Sequence, residues 1–177
     1  MKEAVMYAKY NQEGNRIIYD LLSAMSNDER EKERGSYYNS LSDLFRHILG
    51  GTSYFLGLFK DSLNSNAGAL KAISAIDGIS FPDKGQLSEA QWKELSAVMK
   101  TIDAAYVSMA EALTDADLPQ PVKIDWFGGN PASTPLSFML SQLLVHNTHH
   151  RGQLSQILDS LKIENDYSGI SLEFMPN

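Results

Sequence analysis

Three of the chain's four histidines, His146, His149 and His150, fall within five positions of the stretch "LLVHNTHHRGQLSQIL". Imidazole is both a common metal ligand and a proton-transfer group near neutral pH. What these side chains can do depends on which of them share a helix face. Residues seven apart lie on nearly the same face. His150 is flanked in this way by Leu143 and Ile157, inside the apolar stripe. His146 is flanked by Met139 and Gln153, at the stripe's edge, and His149 by Gln142 and Gln156, on the polar side. The spacing thus turns His146 and His150 inward as an i, i+4 pair and His149 outward. Two imidazoles at that spacing can reach one ion. No glutamate follows His146, so the zinc-protease helix motif is absent.

The fourth histidine, His47, sits in "LSDLFRHILGG", with Leu44, Gly51, Tyr54 and Leu58 along its face. It is a polar group on a mostly apolar face. Gly51, one turn away, removes side-chain bulk and leaves room for a bound molecule. If the two helices pack side by side, His47 completes a three-histidine site. Three protein ligands leave positions open for water or substrate, the pattern of a catalytic metal. The competing reading at each position is a hydrogen-bonded core histidine. An all-imidazole set suits a divalent zinc or nickel ion, with iron or manganese as further options.

Other side chains near these positions have two readings each. Asp43, one turn before His47, is either an acceptor that orients the imidazole or a helix-start charge. Arg151 is a candidate for holding a substrate anion or for a salt bridge between helices or subunits, with the structural role favoured. Gly152 is costly in mid-helix and suggests a close helix approach. Tyr54 fits a pocket acid or the core equally. No residue stands out as a catalytic acid or base.

The elements that must carry these residues are helical. Apolar residues recur at helical spacing over Lys2 to about Ser26, from Ser40 or Ser42 to about Asn64, and from Ser88 onward, where Ser88 and Gln91 form a capping box. A fourth helix runs to about Leu161, with Thr134 as its cap and Pro135 in its first position. The charged run "NDEREKERG" reads as a solvated loop or helical turn. The long connection after Asn64 has room for a short helix near Ala69–Ile76. Val122, Ile124 and Trp126 alternate with polar residues before two glycines, which predicts a small extended arm or hairpin. The tail after Leu161 reads as irregular, with a short docked strand as an option. The expected fold is therefore all-α: an antiparallel four-helix bundle with a small β element before the last helix, in a single domain over residues 1–177.

Bulk composition narrows the function. The net charge of −7 gives no electrostatic support for nucleic acid or anionic membranes as partners. Without cysteine there are no disulfides, thiolate sites or cysteine nucleophiles. No apolar stretch suggests a signal peptide or membrane span, so a cytoplasmic location is expected. The paired Glu-x-x-His motifs of a ferritin-like di-iron bundle are missing.

Three separated pieces, "YNQEGNR", "LSDLFRHILGG" and "HNTHHRGQ", resemble the DinB-like family of metal-dependent enzymes. The last is closely similar to that family's His-x-x-x-His-Arg-Gly-Gln signature. The resemblance implies a four-helix bundle, often a homodimer, with one divalent metal held by His47, His146 and His150. It also implies a small-molecule substrate. Relatives include thiol-cofactor-dependent transferases and isomerases, so a transferase or hydrolase using a low-molecular-weight thiol is expected; the alternative is a non-catalytic metal- or ligand-binding dimeric bundle. The chain departs from the family at Glu13 and Gly14 and in "GGTSYF" after His47, changes expected to line or border the pocket.

Overall fold

A computed structural model describes residues 2–82, 85–125 and 132–175. Its long helices are α1 (Lys2–Ser23), α3 (Leu41–Phe59), α5 (Glu89–Ala112) and α6 (Leu136–Ser160). Two short helices, α2 (Asn27–Arg30) and α4 (Ala67–Ser74), lie in the connections. Strands β1 (Pro121–Ile124) and β2 (Ala132–Pro135) form an antiparallel hairpin before α6, with Val122 opposite Thr134. This is the all-α bundle with a small β element expected from the sequence. Trp126 lies outside the described residues.

Side-chain contacts fix the helix directions. Ser23 at the end of α1 accepts a hydrogen bond from Trp92 at the start of α5, so this pair runs antiparallel. His47 and Thr52 of α3 meet His150 and Asn147 of α6, so this pair is antiparallel too. Asn11 and Asn15 of α1 meet Asn147 and Arg151 of α6 in the same order, so the two antiparallel pairs join through parallel neighbours. The chain must therefore return along the bundle between α3 and α5. That accounts for the long connection containing α4.

Local chemistry starts most of these elements. Ser40 caps α3 by accepting from the Asp43 N–H, and Asn66 caps α4. Ser88 and Gln91 form the expected capping box on α5. The start of α6 differs from expectation. Pro135, not Thr134, holds the cap position, and no side chain caps the helix. Thr134 is committed to β2 opposite Val122. The first α6 amides are satisfied by carbonyls of the preceding loop, Leu136 N–H to Gln120 and Ser137 N–H to Leu118.

Of the two readings of the charged run the helical turn holds, as α2, and the tail is irregular as expected. The charged run after α1 is not simply solvated, because Arg30 and Glu31 are buried. Arg30 lies over the Trp92 ring, and Glu31 accepts from the Ser42 hydroxyl and the Leu87 N–H. The tail forms no strand among the described residues; it ends in a 3-10 turn, Leu172–Phe174.

A polar layer near mid-bundle interrupts the apolar core. There Asn11 and Asn15 of α1, Thr52 of α3, Asp103 of α5, and Asn147 and Arg151 of α6 are all buried. Burial at such cost is offset by hydrogen bonds among these side chains, although Arg151 bonds through Nη2 and leaves Nε and Nη1 without a partner. The layer adjoins the histidines.

Candidate metal centre

The antiparallel pairing of α3 and α6 brings the three inward histidines together. His47 Nε2 lies 3.2 Å from His146 Nε2 and 3.1 Å from His150 Nε2. One ligand atom from each falls within 4.8 Å of the others. Metal–nitrogen bonds of about 2.1 Å, at angles between octahedral and tetrahedral, place ligand nitrogens roughly 3.0–3.4 Å apart. The spacing therefore fits one ion. His149 is exposed, as its flanking glutamines indicate.

Hydrogen bonding prepares the same three nitrogens. His146 Nδ1 lies 3.0 Å from Asn147 Oδ1, and His150 Nδ1 lies 2.8 Å from Gln153 Oε1. An amide oxygen only accepts, so each Nδ1 carries the proton and each Nε2 is left with a lone pair. Two lone pairs then converge on His47 Nε2, which suits a cation between them better than direct pairing. Acceptors on the remote ring nitrogen are the usual support of a metal-bound histidine.

Electrostatics act in the same direction. Burial, reinforced by the neighbouring His150 and His146, pushes the His47 pKa down to about 4, against the opposing pull of Asp43. Burial also lowers His146 and His150, each partly offset by its amide hydrogen bond. All three are neutral at physiological pH, the state in which imidazole binds metal.

Close packing makes the approach possible. A Cβ on Gly51 would sit 2.4 Å from His146 Cε1. Gly51 thus makes room for a ligand's own ring rather than for a bound molecule. On either side of the histidines lies an open cleft. One, of 440 Å³, is lined by Tyr38, Asp43, Arg46, His47 and Phe81. The other, of 450 Å³, is lined by His47, Tyr54, Phe55, Gln142 and His146. The Tyr38 ring packs 4.4 Å from that of His47 and 5.4 Å from that of His150.

The remaining candidates resolve as follows. Asp43 accepts from Arg46 at 2.7 Å and acts on His47 through its charge. Tyr54 is 50% exposed, which removes the core reading and puts it on a cleft wall. Arg151 is buried and donates to Asn11 and Asn15, so its role is inter-helix hydrogen bonding within the chain. Gly152 is exposed, and a Cβ there would meet nothing within 4 Å, so no close approach inside the chain requires it. Glu13 pairs with Arg16 at the surface, and Gly14 packs under the Arg151 guanidinium; neither borders the clefts. The "GGTSYF" stretch does, through Gly51, Tyr54 and Phe55.

The sequence model of the DinB family matches residues 1–161. The chain belongs to the DinB family. The match takes in all three histidines and reaches the end of α6. No curated relative matches the chain. For this DinB family member, the "HNTHHRGQ" stretch separates into distinct physical roles. His146 and His150 are candidate ligands, Asn147 and Gln153 hold their Nδ1 protons, and Arg151 faces away into the bundle. Asn147, Asn11, Asn15 and Asp103 received no role from sequence. A signal existed for Asn147: it lies seven residues from both Leu140 and Leu154, a polar residue on the apolar stripe.

Proposed function

We propose that the chain is a metal-dependent enzyme, a transferase or hydrolase on a small molecule, with His47, His146 and His150 as its metal ligands. One observation carries the reading: three Nε2 atoms, 3.1–3.2 Å apart across His47, converge where two open clefts meet. A closed structural site would not adjoin such space. Once bound there, a divalent ion, with zinc or nickel best suited to three imidazoles, would supply a positive charge that lowers the pKa of water or a thiol.

The chain's own residues favour the thiol. Among the described residues, Asp43 is the carboxylate lining the first cleft, and Arg46 already holds it at 2.7 Å. It is poorly placed to take a proton from water as a general base. A thiol bound to a metal gives up its proton without such a base. Transfer to or from a low-molecular-weight thiol is therefore the preferred reaction class. Tyr38 and Phe81 offer apolar surface to the body of a substrate.

We also propose a cytoplasmic homodimer. No helix among the described residues is long and apolar enough to cross a membrane. Phe138, Val145 and Gly152 recur at seven-residue intervals along the exposed side of α6. An exposed stripe with a glycine at one end suits close contact with a second copy.

Elemental analysis of the purified chain tests the central claim. One ion per chain is expected, lost in His47→Ala, His146→Ala and His150→Ala. No uptake of zinc, nickel, iron or manganese by the folded wild type would sink the proposal. Uptake without turnover of any thiol-transfer or hydrolysis substrate would favour the non-catalytic binding bundle.

A further inference from the structure

The buried polar layer has a direction. His146 Nδ1 is 3.0 Å from Asn147 Oδ1. Asn147 Nδ2 donates to Asn11 Oδ1 at 2.7 Å, and Asn11 Nδ2 donates to Asp103 Oδ1 at 3.0 Å. Every donor along this line points away from the histidines and toward Asp103. An amide can be turned end for end, so the direction needs a cause.

Arg151 supplies one. Guanidinium donates and never accepts. Its Nη2 lies 2.6 Å from Asn11 Oδ1 and 3.0 Å from Asn15 Oδ1. A flipped Asn11 would set two donors against each other at that distance. Asn15, held the same way, gives its Nδ2 to Asp103 Oδ1 at 2.8 Å. With Asn11 fixed, Asn147 must present its Nδ2 to Asn11 and its Oδ1 to His146. Thr52 Oγ1 also accepts from Asn147 Nδ2 at 3.0 Å, but a hydroxyl can donate as well as accept, so it supports the direction without imposing it.

We infer that Arg151, acting through the amides of Asn11 and Asn147 with Asp103 as the terminal acceptor, positions the proton of His146 on Nδ1 and so aims its Nε2 lone pair at the metal site. These are positioning residues on three helices, and none touches the ligand-binding nitrogens. The apo cluster pulls the other way, because a proton on His146 Nε2 could bond to His47 Nε2, 3.2 Å distant. The chain of amides makes the metal-ready tautomer the resting one. The benefit of this arrangement rests on the metal reading above, but the arrangement itself is present without an ion.

The test is the tautomer of His146 in metal-free protein, read from long-range proton–nitrogen-15 correlation spectra at a pH above the ordinary histidine range. Wild type should show Nδ1–H alone. Asn11→Leu cuts Asn147 from both poles and should introduce a population with Nε2–H. In Asn11→Asp the oxygen facing Asp103 shares a proton with that carboxyl, while the oxygen facing Asn147 still accepts, so this variant should restore Nδ1–H. Zinc affinity should fall about 10–100-fold in the leucine variant, the usual effect of losing an outer-shell contact, and recover in the aspartate variant. A wild-type spectrum with mixed tautomers would overturn the inference, whether or not either variant folds. So would a folded Asn11→Leu with the Nδ1–H form unchanged. A locked tautomer in a protein that takes up no metal would sink the metal reading alone.

Discussion

Gly51 of α3 and His146 of α6 occupy one space: a Cβ on the glycine would come within 2.4 Å of the imidazole's Cε1. No ordinary contact is that short, so any larger residue must displace the ring or part the helices. Gly51→Ala should therefore weaken zinc binding by at least about tenfold, since misplacing one ligand costs on the order of the loss of its support. Helix propensity favours alanine over glycine by about 1 kcal/mol. The variant's apo stability should fall by less than a core overpacking of about 1–3 kcal/mol would alone predict. Calorimetric zinc titration and urea unfolding measure the two effects separately. Unchanged affinity would mean that His146 is not a ligand in this rotamer.

Gln153 offers a milder change. Its Oε1 holds His150 Nδ1 at 2.8 Å from a half-buried position. Gln153→Ala should lower metal affinity about 10–100-fold. Stability should move by less than about 1.5 kcal/mol, the usual worth of one hydrogen bond. The contrast between the two readouts identifies an orienting role.

Acid should act on the apo protein through His47. Its pKa is depressed from 6.5 to about 4. The unfolded chain takes up this proton first as pH falls, so the contribution is fully present above 6.5 and is lost as pH drops through about 4. Urea midpoints of the apo protein should decline across that window, and His47→Asn should flatten the decline. In the presence of zinc the fall should be steeper, because protons then compete with the ion for the same nitrogens.

Glu31 tests a buried contact at the first turn of α3. Its side chain is 4% exposed and accepts from Ser42 and from the Leu87 N–H, with Arg30 Nε 3.7 Å away. Glu31→Ala leaves the Ser42 hydroxyl and the Leu87 N–H without their acceptor, while Arg30 keeps Glu89 and Asn27, and should cost about 1–3 kcal/mol. Metal affinity of the folded fraction should fall by less than the roughly tenfold loss of an orienting contact, because Glu31 bonds none of the three histidines. Thermal unfolding and zinc titration on the same preparation separate the two.

Helix faces and the clustering of three histidines were legible from spacing because burial alone decides which side of α3 and α6 turns inward. His150 follows from Leu143 and Ile157 seven residues away, His146 from its place one turn before His150 at the stripe's edge, and His47 from Leu44 and Leu58 along its face. The capping box at Ser88 and Gln91 was legible for a similar reason: it is complete within four residues. What stayed hidden depends on contacts between distant segments. Arg30 and Glu31 look like solvent charges until Trp92, Ser42 and Leu87 arrive from elsewhere in the chain. Asn11 and Asp103 are separated by 92 residues, and no local pattern announces that their amide and carboxyl will meet. Thr134 obeyed the local rule for a cap and was overruled by strand pairing with Val122.

The three ligands are distributed unequally along the chain: His47 stands 99 residues before His146. An ion bound by both acts as a removable staple between the early and late halves of the sequence. A covalent link closing a loop of about 100 residues is worth roughly 4.7 kcal/mol in chain entropy. An ion supplies its stabilisation only as its concentration allows, about 2.7 kcal/mol at a hundred times its dissociation constant. With the proposed site filled, the melting temperature would be a gauge of free metal, and a chelator would act on it much as a reductant acts on a disulfide.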